Sequence, residues 1–528
     1  MAAFRSLIDR HEYLALFVLV TLAVAMFAPS LGYALTFDDL GTVVEHPGVK
    51  APSFGNLFLR DFWGHRFGDP EGVPTVRPLV TFSYSLDQRL GHGAPWAFHA
   101  SNLVFYALLL VLLHRLLRVW AGDALRAPQR LFATAAFAAL AIHADVVPSV
   151  TGRAEILAMT CLVLALQLAR EESASLAVAG SGLACLLALL CKESALPMVL
   201  VLPWLCLRCG VSRRRVLGLS ALVAASVLGF VTYRVQAGFG FRARFPGVEE
   251  SNTLFLSAGF FARLPGAMDV LAHYGFHSVS GVELCADHGY ADFVPSTTWL
   301  ALGPVLGALL ALAGVAAIVA TFRRAPRVAD ALVAFGASYA VASSVLVPAS
   351  AGLADRLFFF PSFWLVVVVA LLLARAPARV ARLSVPIVAV FLVGQSALAV
   401  LASRMWRDEK SLALHTVTNC PHNGRGRQMR AHVAWLDRDV EMTAWQLVAR
   451  AALYNQFPAA VPEEQLASEW EELPFAQRIA LLRKALPPEK YEKAVLRGVY
   501  LARTGGYREA EAYLLRTLVP TLRPGPSG

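Results

Sequence analysis

The sequence predicts a mainly α-helical, polytopic membrane protein of about eleven spans, followed by a small soluble helical region. Three observations predict it. Of the 528 residues, 57% are hydrophobic and only 16% charged, and mean hydropathy is +0.55, outside the usual range of soluble domains. Apolar runs long enough to cross a bilayer's hydrocarbon core as helices recur along the chain. Basic residues fall largely in the short links between those runs, the distribution of a topology signal and not of a nucleic-acid stripe. The net charge of +10, from 47 basic against 37 acidic residues, therefore implies no nucleic-acid partner.

The first run, Tyr13 to Leu35, is too long for a signal-peptide core and no small-residue cleavage site follows it, so it reads as a retained helix. Further runs lie near 97–120, 130–147, 154–169, 174–191, 194–209, 214–234, 298–321, 328–349, 356–374 and 383–401. One set of links holds Arg5 and Arg10, Arg118 and Arg126, Arg170, Arg213 to Arg215, Arg323, Arg324 and Arg327, then Arg375, Arg379 and Arg382. The positive-inside rule places these in the cytoplasm, and an odd number of spans leaves the C-terminal part outside. The opposite links carry Asp38 and Asp39, the stretch His143 to Glu155, Lys192 and Glu193, and Asp355 and Arg356. The chemically interesting polar groups are thus expected on one external face.

Two external loops are long. The first, about 36–96, is rich in aromatics, Pro and Gly, as in Phe62-Trp63-Gly64, Pro70, Pro74 and Pro78. The second, about 235–297, has a broken apolar middle that suits an amphipathic helix lying in the membrane interface better than a span. The expected division is a membrane domain over 1–401 and a soluble external helical domain over 402–528. Within the latter, Tyr491 to Leu522 has the spacing of one tetratricopeptide unit, with Gly498, Gly505-Gly506-Tyr507 and Ala510 at its tight points. Arg425 to Tyr454 is a candidate degenerate partner, and an ordinary helical hairpin is the alternative.

Cysteines add little. Cys161, Cys185 and Cys191 lie in apolar runs and read as core, and Cys206 and Cys209 form a C-x-x-C without a second pair. For the external pair, Cys285 and Cys420, a disulfide is conceivable but is not the expectation.

Phe37-Asp38-Asp39-Leu40 stands at the far mouth of the first helix, where two adjacent carboxylates lose part of their water. Burial there raises carboxylate basicity and suits proton abstraction from a substrate held at the membrane surface. The plainer reading is that both acids only terminate the helix.

Read in order, the external motifs resemble those of membrane-embedded GT-C-type O-mannosyltransferases that carry tetratricopeptide repeats. The residues are Phe37-Asp38-Asp39 with His46-Pro47-Gly48-Val49, Arg77-Pro78-Leu79, and Phe98-His99-Ala100-Ser101-Asn102. Then come His143-Ala144-Asp145, Gly152-Arg153-Ala154-Glu155, Lys192-Glu193, Asp355-Arg356, Pro361-Ser362 and Trp406. The chain departs from that pattern at Leu140-Ala141, where the family has His-Pro, and at Asp145 and Asp355, where Glu is more usual. Its repeat region is also short.

The resemblance implies a GT-C-like membrane domain that moves a hexose, mannose in this family, from a polyprenyl phosphate to an acceptor hydroxyl, a protein Ser or Thr. By motif position Asp38 would be the general base, with Asp39 orienting it or binding acceptor or an Arg. A phosphate leaving group develops negative charge, which Arg77, Arg153, Lys192 and Arg356 would meet. His99, Asn102, His143, Asp145, Glu155, Glu193 and Asp355 would hold the acceptor or scaffold the site, Asp355 also fixing Arg356. No cofactor or metal is expected, because residues two apart such as His143 and Asp145 point to different faces of a helix. A divalent ion on that pair remains the alternative. The implied partners are the lipid-linked sugar donor, the bilayer, and a protein or glycan acceptor recruited by the C-terminal helices. The implied location is a bacterial inner membrane with the site facing the periplasm, or an endoplasmic reticulum lumen. A GT-C enzyme acting on a lipid or cell-surface glycan, and a flippase that only moves the lipid-linked sugar, are the rival readings.

Overall fold

A backbone amide in hydrocarbon must find its partner within the protein, so the apolar runs become helices. The structure, a computed structural model, describes residues 11–437 apart from 70–71, 240–250, 258, 290–291, 347 and 350, together with Met442 and Gln446. The expected repeat at 491–522 and half of its partner at 425–454 lie outside the described residues. Helices of ten or more residues begin with α1 Glu12–Phe27, α2 Pro78–Leu90, α3 Pro95–Ala121, α4 Ala127–Ala139 and α5 Arg153–Leu168. They continue with α6 Ser181–Cys191, α7 Leu196–Arg208, α8 Arg213–Gln236, α9 Phe260–Ser280 and α10 Leu302–Thr321. The remainder are α11 Pro326–Tyr339, α12 Phe359–Arg375, α13 Ala378–Ser403, α14 Glu409–Asn419 and α15 Gly424–Leu436. Only isolated bridging, between Arg60 and Arg66, interrupts this all-helical pattern among the described residues.

Six helical stretches are long and apolar enough to cross a membrane: Glu12–Gly32, Pro95–Ala124, Arg213–Gln236, Leu302–Thr321, Asp355–Arg375 and Ala378–Arg407. The chain is accordingly a multi-pass membrane protein. The other five expected spans coincide with α4, α5, α6, α7 and α11, of 13, 16, 11, 13 and 14 residues. Each falls short of the roughly 20 residues that a helix needs to cross alone, so the expectation of about eleven crossings is not met helix for helix. The backbone leaves the helix early where protein atoms take over its hydrogen bonds. At the end of α4, Leu140 turns to ψ 125°, and the Ala141 amide donates to Gln395 Oε1 at 2.9 Å.

Burial separates core from lipid face. Tyr106, Leu113 and Leu117 of α3 and Phe363, Trp364 and Val367 of α12 are enclosed, with Trp120 and Trp364 meeting edge to face at 5.5 Å. Large apolar side chains of α10 and α13 face outward instead, Val319 at 73% and Val390 at 74% exposure. In water such a surface would be an aggregation liability, whereas lipid covers it. The expected interfacial helix of the second loop is α9, and it is built inside out: Arg263, Asp269 and His277 are buried while Phe261 and Val279 are exposed.

Alternating helix directions put the ends of α1, α4 and α6 beside the starts of α3, α5 and α12. At the opposite end the arginines of the links fasten helix termini. Arg130 and His114 bind Glu12, Arg208 and Arg327 bind Asp330, and Arg170 and Arg215 donate to the carbonyls of Cys209 and Glu171. After α13 the chain turns back, and α14 and α15 lie against the two long loops. There Cys285 and Cys420 form a disulfide. The two cysteines stand 135 positions apart, and the sequence does not lead one to expect the bond.

Candidate active site

The first loop is a scaffold built on Asp61. Its Oδ1 accepts from the amides of Trp63 and His65, and its Oδ2 from Val73. His46 of the His-Pro-Gly-Val motif is structural as well: Nδ1 accepts from Gly48 N to start the turn Pro47–Lys50, and Nε2 meets the Asp61 carbonyl at 3.1 Å. Behind this scaffold, the Asp38–Asp39 pair divides in two. Asp39 is 1% exposed and both its oxygens are taken, by the amides of Thr36 at 3.2 Å and Thr151 at 3.1 Å. Burial pushes its carboxyl up to about 7 against those two hydrogen bonds. Asp38 stays partly open and accepts from Arg425 at 3.3 Å.

The expected cations arrive at the same end, each with an acid. Arg77 grips Glu193 through Nε and a terminal nitrogen at 3.4 and 3.1 Å and lies over the Phe62 ring. Burial would raise the Glu193 carboxyl, but the Arg77 charge holds it down at about 2. Lys192 bonds Glu155, and burial lowers the ammonium below its ordinary value against the pull of that acid. Arg356 sits 3.6 Å from Asp145, its own amide donates to Asp145 Oδ2 at 2.9 Å, and its guanidinium bonds the Ala286 carbonyl.

Two expectations change. Arg153 is not available to a donor phosphate. It is fully buried, and its guanidinium is spent on Asn102, Ser83, Ser101, the Phe98 carbonyl and Asp87. Asn102 also holds the Ser149 carbonyl at 2.8 Å, so the two residues lock the turn before α5. That turn needs Gly152, since a Cβ there would stand 2.0 Å from the Val146 carbonyl oxygen. Asp355 does not fix Arg356. Successive residues on a tight helical turn point about 120° apart, and Asp355 turns to His277 at 3.1 Å and His288 at 3.4 Å while Asp145 takes Arg356. His143 and Asp145 also part company. The His143 ring lies between Phe137 and Phe359 and reaches Ser362 Oγ at 3.0 Å, while Asp145 turns to Arg356. His99 is buried edge-on to Tyr33, 6.3 Å away.

Residues that the sequence reading passed over complete the cluster. His277, His288 and Asp355 are buried with one donor atom each inside 4.8 Å, a grouping able to hold a metal ion. His288 also meets Asp292 at 3.3 Å. Burial disfavours the charge on His288, but Asp355 and Asp292 outweigh it and raise the imidazole to about 10. The signal in the sequence was the dense run Cys285, Asp287, His288 and Asp292 in a loop otherwise semi-apolar.

No family model matches the chain. It is similar to a curated relative named protein O-mannosyl-transferase F38B6.6 from Caenorhabditis elegans, 25% identical over 458 residues, covering 84% of this chain and 63% of that protein. Protein O-mannosyl-transferase Tmtc2 from Drosophila melanogaster is 30% identical over 197 residues, 34% of this chain and 20% of that one. Protein O-mannosyl-transferase TMTC3 from Mus musculus is 28% identical over 144 residues, 26% of this chain and 15% of that one. The chain thus spans less than two thirds of the length of these relatives. Among solved structures, ArnT from Cupriavidus metallidurans, crystallised with undecaprenyl phosphate, overlaps 96% of this chain and 75% of its own at 14% identity. The TM-score is 0.34, at which the overlap carries no argument.

Proposed function

We propose that the chain is a GT-C-type glycosyltransferase moving a hexose, mannose first among candidates, from a polyprenyl phosphate to the hydroxyl of a protein Ser or Thr. One observation carries the reading. A reachable carboxylate, Asp38, stands among cations drawn from separate segments, in a chain similar over 84% of its length to a protein named an O-mannosyl-transferase. The acceptor oxygen attacks the anomeric carbon and passes its proton to Asp38. The carbon–oxygen bond to phosphate breaks, its electron pair leaves with the phosphate, and cations stabilise that charge. Arg356 is best placed for this, with Arg77 and Lys192 each held in position by its own acid. Asp39 pins Asp38's segment to Thr151 at the start of α5.

The site faces away from the cytoplasm in this reading, towards a bacterial periplasm or an endoplasmic reticulum lumen. The disulfide Cys285–Cys420 beside it supports that side, since such bonds persist in oxidising compartments. Acceptor recruitment is assigned to the helices after α13. Purified protein incubated with labelled polyprenyl-phosphate sugars and a membrane extract tests the reading. Label on protein, released by chemistry that cleaves a sugar from Ser or Thr, is the expected result. Label on lipid or glycan alone would replace the acceptor, and movement of the donor across vesicles without transfer would replace the enzyme by a flippase.

A further inference from the structure

The segment after the last span does more than follow the membrane helices. The Ala34 amide bonds the Arg407 carbonyl at 2.9 Å, and His415 reaches the Leu284 carbonyl at 2.9 Å. Cys420 is joined to Cys285, and Asn423 bonds the Asp287 carbonyl. These ties lay the start of α15 across both external loops. There the Arg425 guanidinium lies 4.1 Å from the Phe37 ring centroid, 3.3 Å from Asp38 Oδ1 and 3.9 Å from Asp287 Oδ2. Phe37 is held at φ 58°, a left-handed conformation uncommon for a bulky residue, and its ring also meets Trp406 at 6.1 Å. The surroundings thus fix both the backbone and the ring beneath Arg425.

We propose that Arg425, carried to the carboxylate end by the disulfide-tied strap, is a positioning residue for Asp38: it aims the carboxylate. This rests on the reading of Asp38 as the proton acceptor. Asp38 is also within electrostatic reach of Arg356 at the start of α12 and of Asp39 on its own segment, while Asp287 of the second loop shares Arg425. Arg425 is the cation in direct hydrogen bond with it. Arg425 is half-open to solvent, so Gln and Lys can replace it without opening a cavity.

The test is kcat and KM for transfer by the full chain, wild type against Arg425→Gln and Arg425→Lys, with Asp38→Asn alongside. Misplacing a reacting group slows the chemical step and leaves ground-state binding of the donor alone. Arg425→Gln should therefore lower kcat by about ten- to a hundredfold with the KM for donor little changed. Arg425→Lys should recover most of that kcat. An unchanged kcat in Arg425→Gln, or a Lys variant no better than Gln, overturns the proposal while an inactive Asp38→Asn leaves the proton acceptor standing. Transfer by Asp38→Asn at the wild-type rate overturns the proton-acceptor reading and Arg425's role with it.

Discussion

The two ends of the helical bundle are both rich in ion pairs, yet they use them differently. At the arginine end the charges close on neighbours and on helix-terminal carbonyls, as Glu12 does with Arg130 and His114, or Arg208 with Asp330. These contacts fasten helices and leave little to offer a ligand. At the carboxylate end some of the acids keep a share of solvent, the side chains of Glu193 at 28% and Asp38 at 17%, against 8% for Glu12 and 0% for Asp330 at the other end. Arg153 shows the contrast within one site, since it belongs to the carboxylate end by motif but to the fastening class by geometry. A charge with every donor spent is structure, and a charge held by one acid is still free to meet a substrate.

The all-or-none break of this comparison is sidedness. With Cys161 and Cys209 replaced, a cysteine at Lys410 should label from the outer side of sealed cells and one at Arg214 only after permeabilisation. Equal labelling from one side would remove the two-ended arrangement. Next in size, Asp38→Asn should lower turnover by about a hundred- to ten-thousand-fold with donor binding kept, the scale of a lost general base. If Asp39→Asn alone is inactive, the roles within the pair are exchanged.

Arg153→Met should cost stability rather than donor affinity. It leaves Asp87 buried without its partner, worth about 3–5 kcal/mol for a broken buried pair, read as a lowered unfolding midpoint in detergent. Its counterpart at the other end, Glu12→Gln, should likewise lower the midpoint while turnover per folded molecule stays unchanged. Arg356→Lys keeps the charge and loses the fork, so donor use should weaken by about 1–3 kcal/mol with the midpoint preserved. A midpoint loss matching that of Arg153→Met would move Arg356 into the fastening class.

A further effect concerns pH. His288 is raised from its ordinary 6.5 to about 10, so its contribution to stability is complete below 6.5 and is lost as pH climbs through about 10. Wild type should lose thermal stability between about pH 8 and about pH 10 more steeply than His288→Gln. Parallel curves would show that the imidazole carries no charge in the folded protein.

Much of this was legible in the chain. Bilayer-length hydrophobicity places the runs, and the alternation of arginine and carboxylate links places Asp38, Arg77, His143, Lys192 and Arg356 at one end. Helix endings were harder, because a run such as Ala139-Leu140-Ala141-Ile142 contains no breaker; the helix stops there because Gln395, far along the chain, takes the backbone amide. Partner choice was not legible either. Asp355 and Arg356 are sequence neighbours that diverge around a tight turn, and Asp355 finds histidines from the second loop instead. The strap over Asp38 could not be read, because it depends on Cys420 and Arg425 folding back across hundreds of residues.

That strap also sets an order in time. Ribosomes make Phe37 and Asp38 early, just after the first span, whereas Cys420 and Arg425 emerge only after the six membrane-length helices of the described residues have been synthesised. A nascent chain can thus have threaded all six of those helices and still have Asp38 without its arginine. The site is finished by the last described segment to be translated, once an oxidant has tied it down.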